Sequence, residues 1–147
     1  MVSVIAVCKS KKKGINKEPV TEGTFKADYG LIGDAHAECQ INRQVSLLAA
    51  ESIGKMQHLG LNLSPGDFAE NLTTEGIDLV SLPIGTRLFI GGEVILEVSQ
   101  IGKECHTACA IRRQVGECIM PAEGVFARVI QGGIVKPGDR IKTGEAQ

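Results

Sequence analysis

Thr86-Arg-Leu-Phe-Ile-Gly-Gly-Glu-Val-Ile-Leu-Glu-Val98 decides the fold class. Two runs rich in β-branched and aromatic residues flank Gly91-Gly92, and a glycine pair accepts the positive φ that a tight primed turn demands. The stretch therefore reads as a β-hairpin. Its second strand runs on without a break into Gln100-Ile-Gly-Lys-Glu-Cys-His-Thr-Ala-Cys109, so a cluster of soft and titratable side chains is delivered at the end of a rigid strand.

Short strands are expected on both sides of the hairpin. Val2-Ser-Val-Ile-Ala-Val-Cys8 is β-branched and partly alternating, which suits an opening strand; the basic run Lys9-Ser-Lys-Lys-Lys13 ends it, either as a solvated turn or as an anion-binding rim. A strand is expected around Val20 to Lys26, and then a loop holding Gly33-Asp-Ala-His36. There His36 is either a surface residue or a polar contact to a ligand. Arg43 to Gly60 holds the best helical pattern: Leu48, Ala49, Ile53, Met56 and Leu59 approximate one face, Ser46 is the expected N-cap and Gly60 the stop. Near its end His58 reads as helix surface.

Leu63 to Leu79 is polar but anchored by Phe68, Leu72, Ile77 and Leu79. Its Asn71, Thr73 and Thr74 either form a turn or offer neutral hydrogen-bonding groups that read a heterocycle or a phosphate. Pro121 to Ile141 gives two further strands around Gly132-Gly133 and a Pro-Gly-Asp turn. On the first of them Phe126, Arg128 and Ile130 share one face and Val125, Ala127 and Val129 the other. An arginine between two bulky apolar neighbours calls for a carboxylate partner or an anionic ligand, and the sequence leaves both open. Lys142 to Gln147 reads as a polar, frayed end.

The chain has 147 residues and a net charge of −1, with eighteen glycines, no tryptophan, one tyrosine and four phenylalanines. This length suits a single domain over 1–147 with one core. Glycine-rich turns, many short strands and one main helix point to a mainly β protein, a closed or nearly closed irregular β-barrel with short helical turns that would remove exposed edges. The near-zero charge carries no overall positive field for nucleic acid. No apolar run approaches the roughly 18 residues needed to span a bilayer, and the basic run follows rather than precedes the apolar one, unlike a secretory signal. A cytoplasmic location is expected. The five cysteines, an odd number, argue against a disulfide framework there.

Cys105 stands between Lys103 and His106, either of which as a cation favours a thiolate. Three chemistries fit the cluster. Cys105, His106, Cys109 and Cys118 form a conceivable zinc set, although their spacing lacks the two close pairs usual in structural sites. Cys105 also suits a nucleophile paired with His106 or His36 that forms a persulfide or thioester. Finally, a thiolate suits a metal already held by an organic cofactor whose phosphate the rest of the pocket grips.

Taken together, Gly33-Asp-Ala-His36, Arg43-Gln-Val-Ser46, Gly66-Asp-Phe-Ala-Glu-Asn-Leu-Thr-Thr-Glu-Gly76, the Cys105 after Gln100-Ile-Gly-Lys-Glu, and Gly124-Val-Phe-Ala-Arg-Val-Ile-Gln-Gly-Gly133 with Val-Lys-Pro-Gly-Asp139 resemble the MOSC domain in family order. The small standalone kind is the nearest in form, since neither an aminotransferase-like domain nor the N-terminal barrel of the related reductases is present. The resemblance implies a barrel-like domain that binds the molybdopterin-type molybdenum cofactor and uses Cys105 as metal ligand or sulfur carrier. It further implies that Lys103 and Arg128 meet the cofactor's phosphate or pterin, with His36, Arg43, Asn71 and Thr73 lining the pocket. A cysteine desulfurase or a recipient molybdoenzyme would be the partner. Two alternatives remain: a small molybdenum-dependent reductase of N-hydroxylated compounds fed by an electron donor, and a structural zinc protein.

Overall fold

A computed structural model describes residues 2–10, 17–35, 37–41, 43–57, 65–66, 68, 70–102 and 124–144. His36, His58, Lys103, Cys105, His106, Cys109 and Cys118 lie outside the described residues, as do most of the basic run after Ser10 and the expected helix stop at Gly60.

The chain is mainly β with one helix. Its strands are β1 (Ser3–Lys9), β2 (Glu18–Val20), β3 (Gly23–Lys26), β4 (Gly30–Leu31), β5 (Val45–Ala49), β6 (Leu72–Glu75), β7 (Arg87–Ile90), β8 (Val94–Ile101), β9 (Val125–Gln131), β10 (Gly133–Val135) and β11 (Ile141–Gly144); helix α1 is Ala50–Gln57. Eight strands form one sheet in the order β11-β7-β8-β9-β5-β6-β1-β2, and three form a second in the order β10-β3-β4. Among the described residues only β5 and β6 pair in parallel, with α1 following β5 on the way to β6.

The expected closed or nearly closed barrel is corrected: both sheets are open. The start of β1, next to the end strand β2, is linked to the approach to β11 at the other end by an isolated bridge, Ser3 to Arg140, with Val4 N–H donating to Asp139 O at 2.8 Å and Ile141 N–H to Val2 O at 3.0 Å. This contact is too short to be a strand ladder. The Pro-Gly-Asp turn supplies it: Asp139 N–H closes back on Lys136 O at 3.1 Å, and Gly138 takes φ 96°, the value a proline-glycine type II turn requires.

The hairpin forms as expected, with Ile90 opposite Val94, so its loop is Gly91-Gly92-Glu93 and positive φ falls on Gly91 alone. The expected helix over 43–60 is corrected in its first half. Val45 to Ala49 is a buried strand between β9 and β6, and Ser46 lies inside it rather than capping a helix. A short apolar run covered on both faces carries no periodicity to separate strand from helix. The single strand expected around Val20 to Lys26 is two, one in each sheet. Where the sheets meet, a β-carbon on Gly23 would stand 2.7 Å from Leu31 Cδ1 and 2.9 Å from Val7 Cγ1, which leaves room only for glycine.

One row of the large sheet, Ile101–Val125–Leu47–Leu72–Val7, pairs side by side across five strands and faces the core with Ala127, Val129, Leu88 and Leu96. Leu96, flanked by Leu88 and Val129, is fully buried. Leu96→Ala is expected to cost about 2–5 kcal/mol in urea unfolding, the range for a large-to-small change in a tight core. No helix among the described residues is long and apolar enough to cross a membrane.

Candidate functional site

Displaced by one residue from that core row, Gln100–Phe126–Ser46–Asn71–Cys8 faces the opposite side of the sheet. Residues from three connections cover it and make a buried polar layer. Asn71 is its centre: Oδ1 accepts from Ser46 N–H at 3.0 Å and Ser46 Oγ at 3.2 Å, while Nδ2 donates to Cys8 O at 3.1 Å. Backbone bonds from Asn71 N–H to Ser46 O and from Cys8 N–H to Asn71 O complete a knot joining β5, β6 and β1.

Beside it Lys17 Nζ meets Asp34 Oδ1 at 2.7 Å, with both side chains 0% exposed. Burial alone would raise the Asp34 carboxyl, but the Lys17 ammonium, the Ser10 N–H at 3.0 Å and Asn71 outweigh it and hold the group below the usual carboxylate range. Burial lowers the Lys17 ammonium, opposed first by Asp34 and then by Glu70 and Cys8. Glu70 Oε2 accepts from Gly66 N–H at 3.0 Å and Thr73 Oγ1 at 2.8 Å.

The rim is exposed and cationic. Arg43 places Cζ 5.9 Å from the Phe126 ring centre, within cation–π range, and no carboxylate pairs with it among the described residues. Arg128, two residues further along β9, has a carboxylate partner: Asp28 at 3.6 Å, both side chains 48% exposed. Gln44 locks this corner, donating from Nε2 to Asp28 Oδ1 at 2.9 Å and accepting Val129 N–H at 3.0 Å. Asp28 is thereby held below the usual range, chiefly by Gln44 and by the Gln40 N–H, with Arg128 adding to them.

Of the residues singled out from sequence, Arg43 and Arg128 therefore lie on the exposed rim. Asn71 and Thr73 lie in the buried layer, each 0% exposed. His36, Lys103 and Cys105 lie outside the described residues, and Gly102 N–H bonds Gly124 O at 2.6 Å just before the Cys105 cluster begins. Lys17, Asp28, Gln44, Ser46 and Glu70 are parts of the site that side-chain chemistry alone did not single out. Gln44, Ser46 and Glu70 do fall inside the quoted motifs, which is the signal that could have found them. Lys17 carries no such signal. Among the described residues no group of three or more His, Cys, Asp or Glu is disposed to hold a metal.

The molybdenum cofactor carries a phosphate, and the described rim tests its fit. Arg43 offers a solvent-facing guanidinium with no carboxylate to neutralise it, beside an aromatic face, and this suits a phosphate-bearing heterocycle. Asn71 has both ends of its amide engaged within the chain.

An open β-sheet domain with a buried polar layer on one face and an arginine rim defines the class. The MOSC domain pattern matches residues 31–142, and the chain belongs to that family. The family is associated with molybdenum cofactor sulfuration and binding. Among solved structures, YuaD from Bacillus subtilis shares the fold with a TM-score of 0.80 at 18% identity, over 100% of this chain and 98% of its own. YiiM from Geobacillus stearothermophilus aligns with a TM-score of 0.75 at 20% identity, over 99% of this chain and 76% of its own. YiiM from Escherichia coli follows at 0.65 and 19%, covering 99% and 69%. No curated protein matches the sequence.

Proposed function

We propose that this protein binds the molybdopterin-type cofactor and carries, sulfurates or hands it over through Cys105. The observation that supports the reading is Arg43, an exposed guanidinium held over Phe126 with no carboxylate partner among the described residues, in a chain of the MOSC family. When bound, the cofactor supplies a sulfur-ligated molybdenum. Arg43 binds its phosphate by charge-assisted hydrogen bonds. Asp28 and Gln44 hold Arg128 and the connection bearing Arg43 against β9. The family resemblance adds Lys103 and His36 to the anion-attracting groups, and Arg128 where the ligand takes the place of Asp28. Asn71 and Thr73 act through the buried layer beneath it, setting the spacing of β1, β5 and β6.

Lys103 and His106 favour the Cys105 thiolate. As a sulfur carrier, Cys105 attacks the outer sulfur of a desulfurase persulfide. That S–S bond breaks, a new one forms on Cys105, and the donor cysteine leaves as a thiolate. The work is done in the cytoplasm, with a cysteine desulfurase before this step and a molybdoenzyme after it.

The test is anaerobic incubation of reduced protein with freshly released cofactor, followed by measurement of bound molybdenum and zinc. Wild type should retain near-stoichiometric molybdenum and Cys105→Ala should lose it. Zinc in place of molybdenum would sink the proposal in favour of a zinc site. Arg43→Ala should weaken cofactor retention about 10- to 100-fold, the loss of one charge-assisted contact, and flatten its salt dependence.

A further inference from the structure

Asp28 takes φ 50°, a left-handed conformation that aspartate and asparagine tolerate better than most residues. Its surroundings hold it there. Asp28 N–H donates to Val129 O at 2.9 Å, and Oδ1 accepts from Gln44 Nε2 at 2.9 Å and from the Gln40 N–H at 3.1 Å. Gln44 is tied to the same strand residue, since Val129 N–H donates to its Oε1 at 3.0 Å. The carboxylate is thus fixed beside β9 by bonds that do not involve Arg128.

Arg128 is held far less firmly. Its carboxylate partner among the described residues is Asp28 at 3.6 Å, beyond ordinary hydrogen-bond length, with both side chains 48% exposed. Such an exposed pair adds little stability, so a ligand can take the arginine from it at small cost. Phe126 and Arg128 are alternate residues of β9, about 7 Å apart at the usual strand rise, and Arg43 lies over the Phe126 ring. Two guanidiniums therefore stand over one short stretch of strand: Arg43 without a carboxylate among the described residues, Arg128 already neutralised.

We propose that Asp28 is a built-in competitor at the anion site, neutralising Arg128 until a phosphate that arrives at Arg43 takes the guanidinium away. This rests on the reading that the rim binds the phosphate of a molybdopterin-type cofactor, and adds what limits entry there. Asp28 keeps both its place and its charge in the exchange. The Gln44 amide and the Gln40 N–H do most to hold its carboxyl below the usual range, and Arg128 adds less. Once the arginine has left, a fixed negative charge remains beside the bound phosphate, and anions too weak to replace the ion pair are turned away.

Asparagine keeps an oxygen for Gln40 and Gln44, suits the left-handed φ and removes the charge. The probe is a pterin bearing a phosphate monoester on its side chain, with the dephosphorylated pterin beside it, both followed by pterin fluorescence. Asp28→Asn should bind the phosphorylated pterin about 3- to 10-fold more tightly than wild type, the scale of one surface ion pair and one nearby like charge removed. Its affinity should also fall more steeply with added salt, because a second cation is open to the ligand. In an Arg128→Ala background the same substitution should gain clearly less. Equal affinity of wild type and Asp28→Asn, or an equal gain with and without Arg128, overturns this inference alone if the phosphorylated pterin still binds better than its counterpart. If neither pterin binds any of the proteins, the proposed function falls with it. Should Asp28→Asn fail to fold, nitrogen-15 NMR of the wild-type Arg128 guanidinium decides: its signal should shift with the phosphorylated pterin and not with the other, and an unmoved signal overturns the inference.

Discussion

Lys17→Met should lower stability by about 3–5 kcal/mol, because it strands the Asp34 carboxylate where both side chains are 0% exposed. The more telling result is a change of sign with pH. In wild type the Asp34 carboxyl is held below its ordinary range, so its contribution is present above the unfolded value and lost as pH falls through the folded one. Without the ammonium, burial loses its strongest opponent while the Ser10 N–H and Asn71 remain, and the Asp34 value should rise above the unfolded one. Acid should then rescue the variant, whereas acid weakens this site in wild type. Lys17→Met combined with Asp34→Asn keeps an acceptor for Ser10 N–H and removes both charges, and should recover most of the loss. Urea unfolding at two pH values measures all of this. Equal stability of the single and double variants would mean that the pair is not coupled.

The strands with one buried face were legible because alternation survives there: in β9, Val125, Ala127 and Val129 turn inward while Arg128 and Ile130 are exposed. Phe126 breaks the pattern, 5% exposed on the face that also carries exposed Arg128, since the polar layer and Arg43 cover that end of the sheet. In β5 the alternation vanishes altogether. Its five residues are buried on both faces, and Ser46 looked like a helix cap because a hydroxyl before an apolar run reads alike in either setting. Barrel closure was not legible because it depends on whether β1 and β11 meet in a ladder or in the single Ser3–Arg140 bridge.

The rim arginines could be found because an isolated cation on an apolar strand asks for an explanation, and for Arg128 the answer is Asp28. The buried layer was harder. Lys17 follows a basic run and reads as one more solvated lysine; only the fold, by bringing it across 17 positions to Asp34, makes it a core residue. Glu70 and Asn71 were visible as motif letters, but letters do not tell a ligand contact from a hydrogen-bond knot.

Asn71→Ala separates those two roles. The side chain's removal leaves the backbone bonds of Asn71 in place, including its N–H to the Ser46 hydroxyl, but takes away the side-chain acceptor of the Ser46 N–H and the side-chain donor to the Cys8 carbonyl, both buried. At about 1–3 kcal/mol for each of these two lost bonds, the expected loss is about 2–6 kcal/mol, spread across β1, β5 and β6 because the knot belongs to all three. Asn71→Asp has the right size but replaces a donor facing the Cys8 carbonyl and the Asp34 carboxylate with a second negative charge. It should be less stable than Asn71→Ala at neutral pH and recover in acid, as the added carboxyl takes up a proton. A contact residue would behave otherwise: Asn71→Ala would keep its unfolding midpoint in urea and lose only cofactor retention. If stability holds while retention falls, Asn71 belongs to the ligand; if the unfolding midpoint drops and Asp trails Ala until the pH is lowered, it belongs to the scaffold that holds Arg43 and its neighbours in place.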